Sequence, residues 1–238
     1  MKAEINQERQ RAYGEPRYSH RFVFVVAVFV TCLVTANIIS VKMISVFGLI
    51  LPAGILIFPI SYITGDILTE VYGYAQARRV IWLGFFCNTI VVVAVWLSMV
   101  MPPAPFWDSQ LAYERVLGFT SRLLAASFCA YLIGEFFNAF VMAKMKIVTR
   151  GRWLWMRTIA STLVGQGLDS MVFITLAFAG TMPSKALALA VITQWFVKSG
   201  YEAAATPLTY IAVGFLKRRD GMDVYDYDTR FNPLLLKK

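Results

Sequence analysis

Two carboxylates stand inside a hydrophobic run, and they constrain the fold more than any other feature. The stretch from Phe58 to Arg79 reads FPISYITGDILTEVYGYAQARR, and an apolar run from Phe47 leads into it. Asp66 and Glu70 are four residues apart, so a helix presents both on one face. Arg78-Arg79 then ends the run as a membrane-surface stop would. Acids just inside an apolar span are expensive in lipid, and are paired or functional. Asp66, the deeper of the two, reads as functional. Glu70, nearer the arginines, reads equally as structural.

The chain is 58% apolar and 16% charged, with mean hydropathy +0.60. Soluble domains run about 45–50% apolar and about 25% charged, so the expectation is a membrane protein. The net charge of +9 comes from bases clustered beside apolar spans. That is a pattern of topology rather than phosphate reading, and no nucleic-acid partner is expected. Cys32, Cys87 and Cys129 lie in apolar runs without metal-ligand or CxxC spacing, and read as buried free thiols. The single histidine, His20, lies in the polar N-terminal tail. Histidine metal sites and Ser-His triads are thereby removed from the membrane interior. No P-loop is present, and no cofactor is expected.

Six apolar spans emerge: Phe22–Ser40, Phe47–Thr69, Val80–Met101, Gly118–Ala143, Thr158–Gly180 and Lys185–Leu216. A helical span needs about 20 residues. The fold class expected is an all-α membrane protein with six transmembrane helices in one bundle. Placing both termini inside puts 18 Lys and Arg on the inner side against 4 outside, which satisfies the positive-inside rule. Residues 1–21 read as a cytoplasmic tail, 22–216 as the transmembrane domain and 217–238 as a second cytoplasmic tail. The localisation expected is a multi-pass protein of the cytoplasmic (inner) membrane. Pro102 to Leu117 reads as an outer connection, either a lid or a plain Pro-rich connector. Asp220, Asp223, Asp226 and Asp228 lie among Tyr225, Tyr227 and Phe231, as a latch on the basic inner loops or as a solvated tail.

Polar residues recur at helical spacing within the spans. Span two carries Tyr62, Asp66 and Glu70, interrupted by Pro52, Pro59 and Gly65. Span four carries Glu135 and Asn138, span five Gln166 and Asp169, and span six Lys198 and Glu202. Lys198 and Glu202 are four apart and are placed to pair within their helix. Asn37 lies near the outer end of span one. Ala27, Thr31 and Thr35 form a small-residue stripe there, expected at a helix–helix contact. Each charge at mid-membrane costs about 2.5–3.5 kcal/mol, so the five acids should face inward around a polar cavity. Carboxylates accept paired N–H groups, aromatic faces stack on flat rings, and amides read mixed edges. The residues suit transport of a flat, nitrogen-rich or cationic solute.

FPISYITGDILTEVYG followed by ARRVIW, then GEFFNAF, RTIASTLVGQGLD and VYDYDTRFNP, resembles the queuosine precursor transporters, a family grouped among the vitamin uptake transporters. The resemblance runs from about Asn37 to Pro233. It implies six helices similar to the substrate-binding subunits of energy-coupling-factor transporters, and import of 7-deazaguanine bases such as preQ0, preQ1 or queuine. The substrate-binding set expected is Asn37, Tyr62, Asp66, Glu70, Glu135, Asn138, Gln166, Asp169, Lys198 and Glu202. The partners expected are the 7-deazapurine base and the lipid bilayer. A homo-oligomer and an energising subunit both stay open. The rivals are a binding subunit that needs an energising module and, remotely, an intramembrane aspartyl enzyme using Asp66 and Asp169; a non-enzyme is the expectation.

Overall fold

The protein is described by a computed structural model covering residues 19–46, 49–118, 121–227 and 229–235. Residues 1–18 of the expected N-terminal tail, and Asp228, lie outside the described residues. The elements are α1 (His20–Ile39), a hairpin of β1 (Met43–Val46) and β2 (Leu49–Pro52), and a 3-10 turn (Ala53–Leu56). There follow α2 (Phe58–Tyr72), α3 (Tyr74–Val100), α4 (Gln110–Leu117), α5 (Ser121–Val148), α6 (Leu154–Phe178) and α7 (Ser184–Asp220).

Among the described residues, four helical segments are long and apolar enough to cross a membrane: α1, α3, one within Gln110–Val148 that takes in α5, and α6. The second expected span is different. Its first half holds β2, the second strand of the antiparallel hairpin in which Met43 lies opposite Pro52, and the 3-10 turn. Only the 15 residues of α2 are helical, about 22 Å at 1.5 Å per residue, short of the roughly 30 Å hydrocarbon core. Pro52 and Pro59 account for the late start, since a proline cannot sit beyond the first turn of a helix without loss. The connection expected between the third and fourth spans also differs, because it contains α4. Phe106 and Trp107 in that connection are exposed.

The apolar residues are distributed inside out. On α3, Leu83, Phe86, Ile90, Val93, Leu97 and Val100 are exposed at three- and four-residue steps, one face of a helix. On α1 the buried face is Phe22, Val25, Phe29, Leu33 and Ala36. The stripe expected at a helix contact lies elsewhere: Ala27 and Thr31 are exposed and Thr35 is half-buried. The close approach of this fold is between α5 and α6. A Cβ on Gly165 would stand 3.0 Å from Gly134 O and 2.7 Å from Asn138 Cβ. The cysteines are free, but Cys129 is exposed and the other two only half-buried.

The basic ends of several elements meet at one end of the bundle, and the C-terminal segment covers them. Gly73 separates α2 from α3 at φ +84, a value that favours glycine. A Cβ there would also stand 2.6 Å from Val224 Cγ1. Asp226 Oδ2 accepts the Tyr74 N–H at 3.0 Å, capping the start of α3 from a distant part of the chain. Arg78, which is buried, donates to the carbonyls of Arg230 and Asn232 at 2.9 and 2.8 Å. Trp82 donates to Pro233 O at 2.9 Å. The ring of Phe231 lies against Tyr74 and Phe140. Asp220 accepts from Ser19, Arg21 and Tyr72, tying the end of α7 to the start of α1. Of the two expectations for this segment, the structure has the latch.

Burial opposes ionisation of Asp220, but hydrogen bonds from Tyr72, Ser19 and Arg21, with the Arg21 charge, outweigh it and hold the carboxyl below the usual range. A carboxyl held low stabilises the fold above its unfolded pKa, about 3.9, and that stabilisation is lost as pH falls through the folded value. The difference in melting temperature between wild type and Asp220→Asn in detergent should thus stay constant from pH 8 to 5 and shrink below about pH 4. A difference that shrinks on going from pH 5 to 8 would contradict this assignment. Asp226→Ala removes a cap and should lower stability by about 1 kcal/mol in the same assay. Asp226→Asn keeps an acceptor and should retain most of it; equal loss in both variants would contradict the capping role.

Candidate functional site

Four helices contribute polar side chains to one interior region. α2 supplies Tyr62, Asp66 and Glu70; α5 supplies Glu135, Asn138 and Lys146. α6 supplies Arg157, Thr162, Gln166 and Asp169; α7 supplies Lys198, Glu202 and, past its proline, Lys217. All but Lys198 and Lys217 are buried. Three- and four-residue steps put Tyr62, Asp66 and Glu70, Glu135 and Asn138, Thr162, Gln166 and Asp169, and Lys198 and Glu202 each on one helix face, and these faces form a polar seam along the bundle, with Lys146, Arg157 and Lys217 at its basic end.

The seam has four levels. Farthest from the basic end, Lys198 Nζ lies 2.5 Å from Asp169 Oδ2 and 4.5 Å from the centroid of the Phe58 ring. Next, Tyr62 is fully buried beside Gly134, and a Cβ on Gly134 would meet Asp169 Cβ at 2.8 Å and Tyr62 Oη at 3.0 Å. Glu135 lies against α2 one turn on, where a Cβ on Gly65 would stand 3.2 Å from Glu135 Oε2. At the third level Asn138 Nδ2 donates to Asp66 Oδ1 at 2.9 Å, with Glu202 and Glu135 acting on the same carboxyl. At the basic end Glu70 Oε1 accepts from Arg157 at 2.8 Å and Lys217 at 2.6 Å, with Lys146 at 3.7 Å. Lys146 and Lys217 also hold Asp223, at 2.6 and 2.8 Å.

Asp66, Glu135, Asp169 and Glu202 therefore converge on one seam. Lys198 pairs with Asp169 across helices, not with Glu202 along its own, because Asp169 on α6 lies beside it. Glu202 is left with two buried oxygens that have no hydrogen-bond partner among the described residues. Thr162 and Gln166 approach it without reaching hydrogen-bond geometry. Asp66 Oδ2, Glu135 Oε1, Gln166 Oε1 and Tyr62 Oη are unpartnered in the same sense. Unsatisfied buried polar atoms are uncommon in native proteins and call for an explanation.

Two candidates separate from the rest. Glu70 belongs to a cluster of ion pairs, where removing a partner from a buried pair costs about 3–5 kcal/mol. Asn37 is half-buried and has no side-chain hydrogen bond among the described residues. Asp66 and Asp169 do not form a hydrogen-bonded dyad; one is bonded to Asn138 and the other to Lys198. The aspartyl-enzyme alternative loses its basis there.

A cavity of about 230 Å3 opens between α6 and α7, and Thr158, Thr162, Phe196, Ser199, Glu202 and Thr206 are among its walls. That is room for a ligand below drug size. Glu202 is the member of the acid set that reaches it. The other acids are packed between helices, so room and acids are offset. Arg157, Thr162, Ser199 and Phe58 were not singled out from the sequence. Thr162 continues the stripe of Gln166 and Asp169 back along α6, a legible signal, whereas Arg157, five residues earlier, does not. Phe58 and Ser199 carry no such signal.

The family described as "Putative vitamin uptake transporter" matches residues 52–212. A "Probable queuosine precursor transporter" from Bacillus subtilis (strain 168) is 30% identical over 180 residues, 75% of this chain and 79% of that one. A "Queuosine precursor transporter" from Escherichia coli (strain K12) is 25% identical over 163 residues, 67% of this chain and 70% of that one. No solved structure matches. The matched residues take in α2, α3, α5, α6 and most of α7, and so every residue of the seam but Lys217. With its buried acids, its lipid-suited exterior and these relatives, the chain belongs to the queuosine precursor transporter family, a family of membrane transporters and not of enzymes.

Proposed function

We propose that this protein imports queuosine precursors, 7-deazaguanine bases such as preQ0, preQ1 or queuine, across the cytoplasmic membrane along the buried seam. The observation that carries the reading is Glu202: a buried carboxylate with both oxygens unpartnered, set in the wall of a cavity. A guanine-type edge presents a ring N–H and an adjacent amino group, which one carboxylate accepts together. Thr162, Ser199 and Gln166 stand nearby for the remaining ring atoms. The proposed binding set is Tyr62, Asp66, Glu135, Asn138, Gln166, Asp169, Lys198 and Glu202. Asn37 is left outside it, and Glu70 is assigned to the inner ion-pair cluster.

The reading includes six spans, with the 37-residue α7 and a second span built from the short α2 together with the turn before it completing the four evident ones, an arrangement akin to the binding subunits of energy-coupling-factor transporters. It also places both termini in the cytoplasm, which the 18-to-4 distribution of basic residues supports. Energy would come from a gradient, metabolic trapping or a further subunit.

Purified protein in liposomes tests this. Labelled 7-deazaguanine base should accumulate with the wild type, and Glu202→Gln should lower uptake about 10- to 100-fold, the worth of a hydrogen bond to a charged group. Wild-type uptake by Glu202→Gln at normal protein level would remove Glu202 from the site. Uptake only on adding an energising module would assign the chain as a binding subunit.

A further inference from the structure

The outermost level of the seam holds a cation already, and the groups around it suit any ammonium. Lys198 Nζ lies 2.5 Å from Asp169 Oδ2 and faces the Phe58 ring at 4.5 Å. The Phe58 ring leans on Tyr62, with centroids 5.1 Å apart. A carboxylate with aromatic faces beside it is the chemistry that recognises organic ammonium groups. Asp169 cannot withdraw toward α5, since its Cβ is packed against the Gly134 backbone. Lys198 is less constrained. It projects from α7 on a flexible stem and is partly accessible, with 12% of its side chain exposed.

We propose that the Asp169–Phe58 site receives the ammonium of a cationic substrate, and that Lys198 is a resident stand-in which that substrate displaces. The ligand class is a flat heterocycle bearing a primary amine. The displaced lysine is not stranded, because Glu202 lies one helical turn along α7 with two unpartnered oxygens. From there its ammonium also reaches an acceptor, such as a ring carbonyl, on a base held at Glu202. The exchange swaps one cation for another at Asp169, so no buried charge is left uncompensated. Lys198 thus sets the preference between cationic and neutral bases of the same ring. This inference rests on the binding reading above.

The test is binding of two bases, 7-aminomethyl-7-deazaguanine and 7-cyano-7-deazaguanine, to the purified full chain in detergent. Only the first carries an ammonium. Lys198→Gln removes the competitor and should shift the affinity ratio toward the aminomethyl base by about tenfold. Lys198→Arg keeps a cation and should hold the ratio near that of the wild type. Asp169→Asn should shift the ratio the other way. A ratio in Lys198→Gln within about twofold of wild type, with both bases still bound, overturns the displacement and leaves the site reading intact. Binding of neither base by the wild type overturns the site reading and this inference with it. A variant that fails to elute as a monodisperse species is replaced by Lys198→Met, for which the expected shift is the same.

Discussion

A bilayer interior offers no water to hydrogen-bond a carboxylate, and this chain brings five to that region. Each must find its partner within the protein or stay neutral. The fold meets this by turning the polar faces of α2, α5, α6 and α7 toward one another. The close Gly134–Gly165 approach lets α5 and α6 bring Asn138 and Asp169 into the same seam. Two of the acids are balanced by cations, Asp169 by Lys198 and Glu70 by Arg157, Lys146 and Lys217. Asp66 has one amide donor, and Glu202 none. The imbalance lies in the middle levels, between two well-paired ends. A ligand rich in N–H groups supplies the donors that those middle levels lack.

The two ends differ in construction. At the basic end, a break in the chain at Gly73 is capped by Asp226, and the same C-terminal segment holds Arg78, Trp82 and Lys146. Five elements are tied there, so movement of α2 against α3 has to disturb the segment. At the opposite end the Lys198–Asp169 pair is bounded by the proline-delayed start of α2 and by no such segment.

Much of this was legible in the residues. Charge in an apolar setting is conspicuous, and four-residue spacing fixes a shared face, so Asp66, Glu135, Asp169 and Glu202 were foreseeable as one set. The positions of the long helices followed from hydropathy. Partner choice was not legible. Lys198 has an acid at i+4 and another across the helix interface, and spacing sees only the first. Arg157 and Lys146 adjoin a basic loop in the sequence, where spacing gives no sign of burial, while the fold buries both. The second span was overextended for a similar reason: hydropathy does not distinguish the apolar hairpin from helix, although Pro52 and Pro59 mark where helix can begin. The stripe of Ala27, Thr31 and Thr35 shows that small residues in a membrane helix need not mark a contact.

The central claim is that the middle of the seam opens to substrate. Single cysteines at Gln166 and Thr162, in a background with Cys32, Cys87 and Cys129 replaced, address it directly. A small water-soluble thiol reagent applied to active protein in liposomes should modify both positions, and excess 7-deazaguanine base should slow the modification. Inert cysteines, or modification unaffected by base in a variant that still imports it, would show that the substrate travels elsewhere.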